Sequence, residues 1–236
     1  MTTLIFDPFE EFQQFLVKLT FEKLVKDTDY VAASKKVHKR ALALLIIEHQ
    51  FDLELNDNPT ALEIASRPFL NEFRSDLLSS LFVFHIGLYK ASMMTARSSL
   101  ENLFRVIAGA QELDFRNCKS VSDLIDLIKM SHLRKVSPTF DVALGVLLTK
   151  YGDFCDYVHS TGDEFLSNDR KLGDMPRWVP DVGGDCANSL VKMFQAATCV
   201  LLTLKPTALH KLRHDQKDTV LDALPMGMKA GLIADS

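Results

Sequence analysis

The sequence lacks the cysteine spacing of a zinc-binding or disulfide-stapled protein. None of its cysteines forms a Cys-x-x-Cys pair with another; the four are Cys118, Cys155, Cys186 and Cys199. This spacing argues against a zinc ribbon and does not indicate a disulfide framework. Isolated thiols are usual in a reducing compartment, so we expect a cytoplasmic protein.

Long hydrophobic runs and an excess of positive charge are also missing. The most apolar run, LLSSLFVFHIGLY at 77–89, is too short to cross a bilayer and contains His85. The first residues, MTTLIFDPFEEF, carry acids where a signal peptide would carry lysines. With a net charge of −4, the chain as a whole is not a polycation of the kind that binds nucleic acid. We therefore expect no membrane segment and no export, and any nucleic-acid surface must be local.

Alternating strand patterns are missing as well, and helical spacing dominates the chain. We predict a single all-α domain over residues 1–236. Its parts are N-terminal helices at 1–66, a core at 70–205 with a loop at 166–185, and a C-terminal helix and tail at 206–236. Within these parts the predicted helices cover about 7–26, 30–53, 70–112 with a division at Gly87, 120–131, 137–159, 186–204 and 207–224. A connection as long as 166–185 is typical of a lid or a disordered segment.

His159 is the first candidate for chemistry, because it ends the stretch YGDFCDYVHS and has acids around it. Carboxylates at Asp156 and Asp163 would hold the imidazole in place. A histidine held in this way can act as acid or base on an RNA 2′-hydroxyl. Two other interpretations stay open: a structural helix-end histidine, and a Cys155 thiolate paired with His159.

Arg97 is the second candidate, because it interrupts an apolar helical stripe. It can hold a phosphate in a cleft, or it can pair with Glu101 one turn later. Residues 151–185 contain eight acids and three bases, which would repel phosphate. Nucleic-acid binding near His159 therefore requires Arg97, Arg105 or Lys150 to face the same cleft.

Signals for metals and cofactors are weak. His210 and His214 have the helical spacing of metal ligands, but no H-E-x-x-H motif surrounds them, and a solvated helix is the simpler interpretation. The basic cluster KKVHKR at 35–40 can contact phosphates or form a solvated helix face. No phosphate-binding glycine loop is present. We expect neither a metal nor a cofactor.

The segment GLYKASMMTARSSLENLFRVIAG at 87–109 resembles the helical core of the HEPN superfamily. The matching residues follow the family's order: Gly87, Tyr89, Ala91, Arg97, Leu100 and Glu101. The stretch YGDFCDYVHS resembles the family's histidine-bearing helix, so the likeness covers about 76–161 and extends towards 204. In active relatives four to six residues separate an arginine from the histidine that follows it. This chain has Gly152, Asp153 and Phe154 at those positions.

The resemblance implies a helical bundle that dimerises across its histidine-bearing helices, often in bacterial defence or toxin–antitoxin systems. Active relatives cleave RNA without metal. Because the arginine is missing, the leading hypothesis is a non-catalytic module that binds a partner protein or nucleic acid, as a homodimer or a hetero-complex. One alternative is a metal-independent endoribonuclease that uses His159, with Arg97 or Lys150 on phosphate. The other is a structural or regulatory interaction protein without a ligand.

Overall fold

The structure is a computed structural model that describes residues 21–57, 59–159 and 175–234. These residues form ten α-helices and no strand, which confirms the all-α prediction. The helices are α1 Thr28–Glu54, α2 Ala61–His85, α3 Tyr89–Ala110, α4 Val121–Lys129, α5 His132–Val136, α6 Pro138–His159, α7 Pro180–Leu204, α8 Thr207–Lys211, α9 His214–Ala223 and α10 Met226–Ala234. The predicted helix at 7–26 lies largely outside the described residues.

The core lies between α1, α2, α3, α6 and α7, which pack against one another. Aromatic side chains fill it, and the largest fully buried ones are Phe51, Phe73, Phe84, Phe104, Phe140, Phe154 and Phe194. α7 is the one described helix that is long and apolar enough to span a membrane, and 61% of its most apolar stretch is buried inside the bundle.

The start of α2 differs from the prediction of a helix beginning near residue 70. Thr60 caps the helix: its hydroxyl accepts from the Glu63 amide at 3.2 Å, and the Glu63 carboxylate accepts from the Thr60 amide at 2.9 Å. This capping box begins the helix at Ala61. Pro68 therefore lies inside the helix rather than before it.

The predicted division at Gly87 is confirmed as a tight turn between α2 and α3. Gly87 has φ +85°, a left-handed conformation that glycine adopts at little cost. A Cβ atom there would lie 2.4 Å from the carbonyl oxygen of Arg177. Behind the turn, the buried Ser80 and Ser92 hydroxyls bond each other at 3.1 Å, so the two helices pack closely.

The C-terminal part of the fold departs from the prediction in three places, although the predicted end of α7 at residue 204 is confirmed. α7 begins at Pro180, a residue suited to the first turn, so 180–185 is helical rather than part of the loop. The predicted helix at 207–224 is two helices, because Arg213 has an extended backbone and its amide bonds Gln216. The predicted tail contains the helix α10, where Gly231 packs against Thr139.

A buried ion pair joins α1 to α2. Arg74 donates two hydrogen bonds to Glu48, at 2.7 and 2.6 Å, while the Glu48 side chain is only 1% exposed. Burial raises the pKa of Glu48, and the bonds from Arg74 oppose that rise. Arg74 therefore stabilises the ionised Glu48 carboxylate inside the bundle.

Arg74→Met is expected to lower the free energy of unfolding by about 3 kcal/mol, because it leaves a buried carboxylate without its cation. Urea denaturation measures the change. Arg116→Met is the matched control: Arg116 also bonds Asp114 through two nitrogens, but both side chains are exposed. The control should be indistinguishable from the wild type. Equal losses in the two variants would contradict the role given to burial.

Gly87→Ala is expected to lower the free energy of unfolding by more than about 1 kcal/mol, because alanine meets both a strained φ and the Arg177 carbonyl. Gly145→Ala serves as the control, since Gly145 lies within α6 and a Cβ atom there meets nothing within 4 Å. That variant should gain up to about 1 kcal/mol from helix propensity. Thermal melts of the two variants beside the wild type compare the effects.

Candidate functional site

The candidate site lies where α3 packs against α6. Arg97 and Glu101 are one turn apart on α3, and Tyr151 and Cys155 are one turn apart on α6. The Arg97 Nη2 atom lies 2.8 Å from Glu101 Oε1 and donates to the Tyr151 hydroxyl at 3.1 Å. Its Nε donates to the Cys155 Sγ at 3.2 Å. The guanidinium therefore bridges the two helices.

Tyr151 completes this cluster from the other side. Its hydroxyl donates to Glu101 Oε1 at 3.2 Å, and its ring lies 5.2 Å from the Arg97 Cζ. Burial and the Glu101 carboxylate raise the pKa of Tyr151 to about 12. At neutral pH the phenol is thus a protonated donor.

Arg97 is firmly charged in this setting. Its burial lowers the pKa of the guanidinium, but the contacts with Cys155, Glu101 and Tyr151 outweigh burial and raise it above its ordinary value. The side chain is 26% exposed. A cation held by three neighbours in this way stabilises the α3–α6 contact.

His159 is the last residue of α6 and is exposed. Because it follows Cys155 by one helical turn, it lies on the same side of α6 as the thiol that Arg97 contacts. Among the residues that the structure describes, no hydrogen bond or ion pair joins His159 to another side chain. Asp163, one of the two carboxylates predicted to lie near His159, is outside the described residues.

The two predicted phosphate-binding residues do not face the Arg97 cluster. Lys150 pairs with Asp153 on its own helix, and its side chain is only 13% exposed. Arg105 lies over the ring of Phe69 on α2, with 5.0 Å from its Cζ to the ring centre, and it donates to the Glu101 carbonyl at 3.0 Å. Of the three predicted cations, Arg97 is therefore the one that contacts the Cys155 side chain, one helical turn before His159.

The sequence pattern identified Arg97–Glu101 as a pair but missed the partners on α6. Tyr151 belongs to the predicted apolar stripe, and Cys155 entered only as a candidate nucleophile. A signal was present: each helix carries two polar or polarisable residues with i,i+4 spacing. Which helices meet, however, follows from packing and is not written in the spacing.

The segment before α7 forms a second contact that sequence analysis missed. The Tyr89 hydroxyl donates to the Arg177 carbonyl and accepts from the Val179 amide, both at 3.2 Å. Burial raises the pKa of Tyr89 to about 12. The Trp178 ring packs edge-on against Tyr30 and Tyr89. Residues 175–179 of the predicted lid are thus fixed on the α2–α3 turn, while 166–174 lie outside the described residues.

Metal-ligand geometry is missing at the C-terminal histidines. His210 lies in α8, whereas His214 is the first residue of α9, so the two do not share a helix. His214 pairs instead with Asp218 at 2.9 Å. In the part of the chain that the structure describes, no group of three metal-ligating side chains occurs.

No known family model matches the chain, and no curated protein or solved structure matches it either. The likeness to the HEPN superfamily therefore rests on the residues quoted above, and the site's chemistry rests on its own geometry.

Tyr151→Phe tests the cluster through its pH dependence. A phenol whose pKa is raised to about 12 in the folded protein, from an ordinary 10, stabilises the fold below pH 10 and loses that stabilisation as pH rises towards 12. The variant lacks this titration, so its free energy of unfolding should fall less steeply above pH 10 than that of the wild type. Urea denaturation at pH 8 and above pH 10 measures both slopes. Identical slopes would contradict the assignment.

Proposed function

We propose that this chain is a non-catalytic HEPN-like helical module, of bacterial defence or toxin–antitoxin type, which acts by binding another protein. The observation that carries the proposal is that each candidate cation is already engaged inside the bundle. Arg97 is bound by Glu101, Tyr151 and Cys155, and Lys150 by Asp153.

The charges near His159 support a non-catalytic role. Cleavage of RNA needs a cation that approaches the phosphate while the histidine moves a proton. The Arg97 guanidinium, which contacts Cys155 one turn before His159, is neutralised by the Glu101 carboxylate at 2.8 Å. An RNA phosphate would have to displace that carboxylate, and it would do so beside the further acids Asp153 and Asp156.

A protein partner fits the surface better than nucleic acid does. The basic cluster at 35–40 lies on the exposed side of α1, away from the buried Val37, but it extends over less than two helical turns. Lys39 also lies 4.0 Å from Asp222. Large apolar side chains stand exposed instead, and Phe82 on α2 is 62% exposed. Exposed apolar groups of this size are typical of protein-binding surfaces when they cluster.

A metal-independent endoribonuclease is the second candidate, and one observation favours it. The Arg97 Nε lies 3.2 Å from Cys155, one turn before His159, so a guanidinium from α3 approaches the histidine that lacks an arginine on its own helix. In that role His159 would take the 2′-hydroxyl proton and Arg97 would stabilise the charged phosphate.

Incubation of a mixed, structured RNA pool with the purified protein in EDTA separates the two candidates. The proposal predicts that wild-type protein leaves the RNA intact and that labelled RNA shows no salt-dependent binding in fluorescence anisotropy. His159→Ala and Arg97→Gln should then be indistinguishable from the wild type.

The control variant is His49→Ala, which removes an exposed histidine on α1 away from the site. Cleavage by the wild type that persists in His49→Ala but is lost in His159→Ala would overturn the proposal and establish the ribonuclease. A further loss of at least tenfold in Arg97→Gln would assign the phosphate contact to the guanidinium from α3.

A further inference from the structure

The outer face of α2 carries a stripe of uncharged side chains that no described helix covers. Going along the helix, exposed residues recur every three or four positions, which places them on one side. We call this set the α2 stripe: Ile64, Pro68, Asn71, Ser75, Leu78 and Phe82. It extends over about 27 Å of helix, at 1.5 Å per residue.

The apolar members of the α2 stripe are strongly exposed. Phe82 is 62% exposed, Ile64 58% and Leu78 48%. They lie opposite the buried face of the same helix, where Leu70, Phe73 and Leu77 enter the core. α2 is therefore apolar on both sides, a pattern that indicates a second packing surface rather than a solvated face.

The two arginines beside the α2 stripe are neutralised within the chain. Arg67 donates to Asp52 at 3.0 Å, and Arg74 binds the buried Glu48. Glu72 is exposed at the margin of the stripe, about a quarter-turn away from its centre. A partner of opposite charge thus has little to recognise here, whereas an uncharged surface fits well.

The order of residues along the stripe is self-complementary about Phe73. Ile64 and Phe82 lie nine residues on either side of it, Pro68 and Leu78 five, and Asn71 and Ser75 two. Suppose that a second α2 lies antiparallel across the outer face of the first, with a two-fold axis at the level of Phe73 along the helix. Apolar residues would then meet apolar residues. The polar pair, Asn71 and Ser75, would meet its counterpart at the centre, where an amide and a hydroxyl bond each other.

We propose that the α2 stripe is a two-fold interface between two copies of this chain, with the α2 helices antiparallel and centred on Phe73. Ile64 of each protomer packs on the partner's Phe82, and Pro68 on the partner's Leu78. An interface of this kind uses the same patch on both subunits, as a closed dimer requires. Since the stripe is uncharged, two copies that each carry a net charge of −4 approach through the surface where repulsion is smallest.

This inference deepens the proposed function, because it rests on an association role and names the partner. It also differs from what the family resemblance implies, which is contact through the histidine-bearing helix α6. The site at Arg97 and the α2 stripe belong to different helices, so the dimer leaves the Arg97 cluster unaltered.

Light scattering after size exclusion tests the interface with the full-length protein at about 50 µM. The wild type should have twice the 26.5 kDa mass of one chain. Phe82→Glu should be monomeric, with a dissociation constant raised at least 100-fold, because two carboxylates enter the apolar ends of the seam. Val142→Glu is the matched control: Val142 is 61% exposed on α6, and its variant should stay dimeric.

The double variant Ile64→Lys/Phe82→Glu decides the register. In the antiparallel arrangement each introduced lysine faces the partner's introduced glutamate, so the dimer should form again. A parallel arrangement would place like charges together and leave the double variant monomeric, which would overturn the proposal. A dimeric mass for the double variant would also show that Phe82→Glu alone loses the dimer through the interface and not through misfolding.

A monomeric wild type would overturn the proposal, as would a Phe82→Glu variant that stays dimeric. If the wild type were monomeric and Phe82→Glu less stable to heat, the stripe would be covered within the chain, and the proposal would be wrong. None of these masses depends on RNA cleavage, so a failed dimer leaves the non-catalytic module standing. A ribonuclease result likewise leaves the dimer test unchanged.

Discussion

Gly87 adopts a φ of +85°, and the carbonyl oxygen of Arg177 occupies the space in which another residue would carry its Cβ atom. Two consequences follow from this close approach. The turn brings α3 back along α2, so the hydroxyls of Ser80 and Ser92 can meet in the core. The same turn receives the segment before α7, where Tyr89 holds the backbone on either side of Trp178. The turn therefore fixes three helices relative to one another.

Each buried carboxylate that the structure describes is paired with a cation, and the same constraint shapes the candidate site. The buried Glu48 is bound by two nitrogens of Arg74, and Lys205 donates to Glu63 at 2.6 Å. Arg97 follows the same rule, with Glu101 as its counter-ion. A guanidinium that is required to neutralise a neighbour inside the fold is not free to bind a phosphate at no cost. A phosphate would therefore have to compete with Glu101 for the Arg97 guanidinium.

Much of the fold could be predicted from sequence because its helices carry strong local signals. The serine cap at Ser120, the proline at 138 and the glycine at 87 each gave a boundary that the structure shows. The errors have local causes too. The prediction begins α2 near residue 70, whereas the capping box at Thr60 begins the helix at Ala61. The extended backbone at Arg213 divides one predicted helix into two, and no proline or glycine marks that position.

The site was less predictable, because its contacts cross between helices. Arg97 and Glu101 are visible as a pair on one helix, but the meeting of Arg97 with Cys155 requires knowing that α3 packs on α6. The partly buried Tyr151 shows the difficulty most clearly. In the sequence it is one more apolar position of a stripe, and only the folded chain shows its hydroxyl between a carboxylate and a guanidinium.

The helical hairpin formed by α2 and α3 has two sides with opposite physical character. On the side of α6, polar groups satisfy one another inside the chain and leave little for a ligand to bind. On the outer side of α2, exposed apolar groups contact no described helix, while nearby charges are paired elsewhere. The free energy available for association therefore lies in the apolar area of α2 rather than in the charges of the α3–α6 contact.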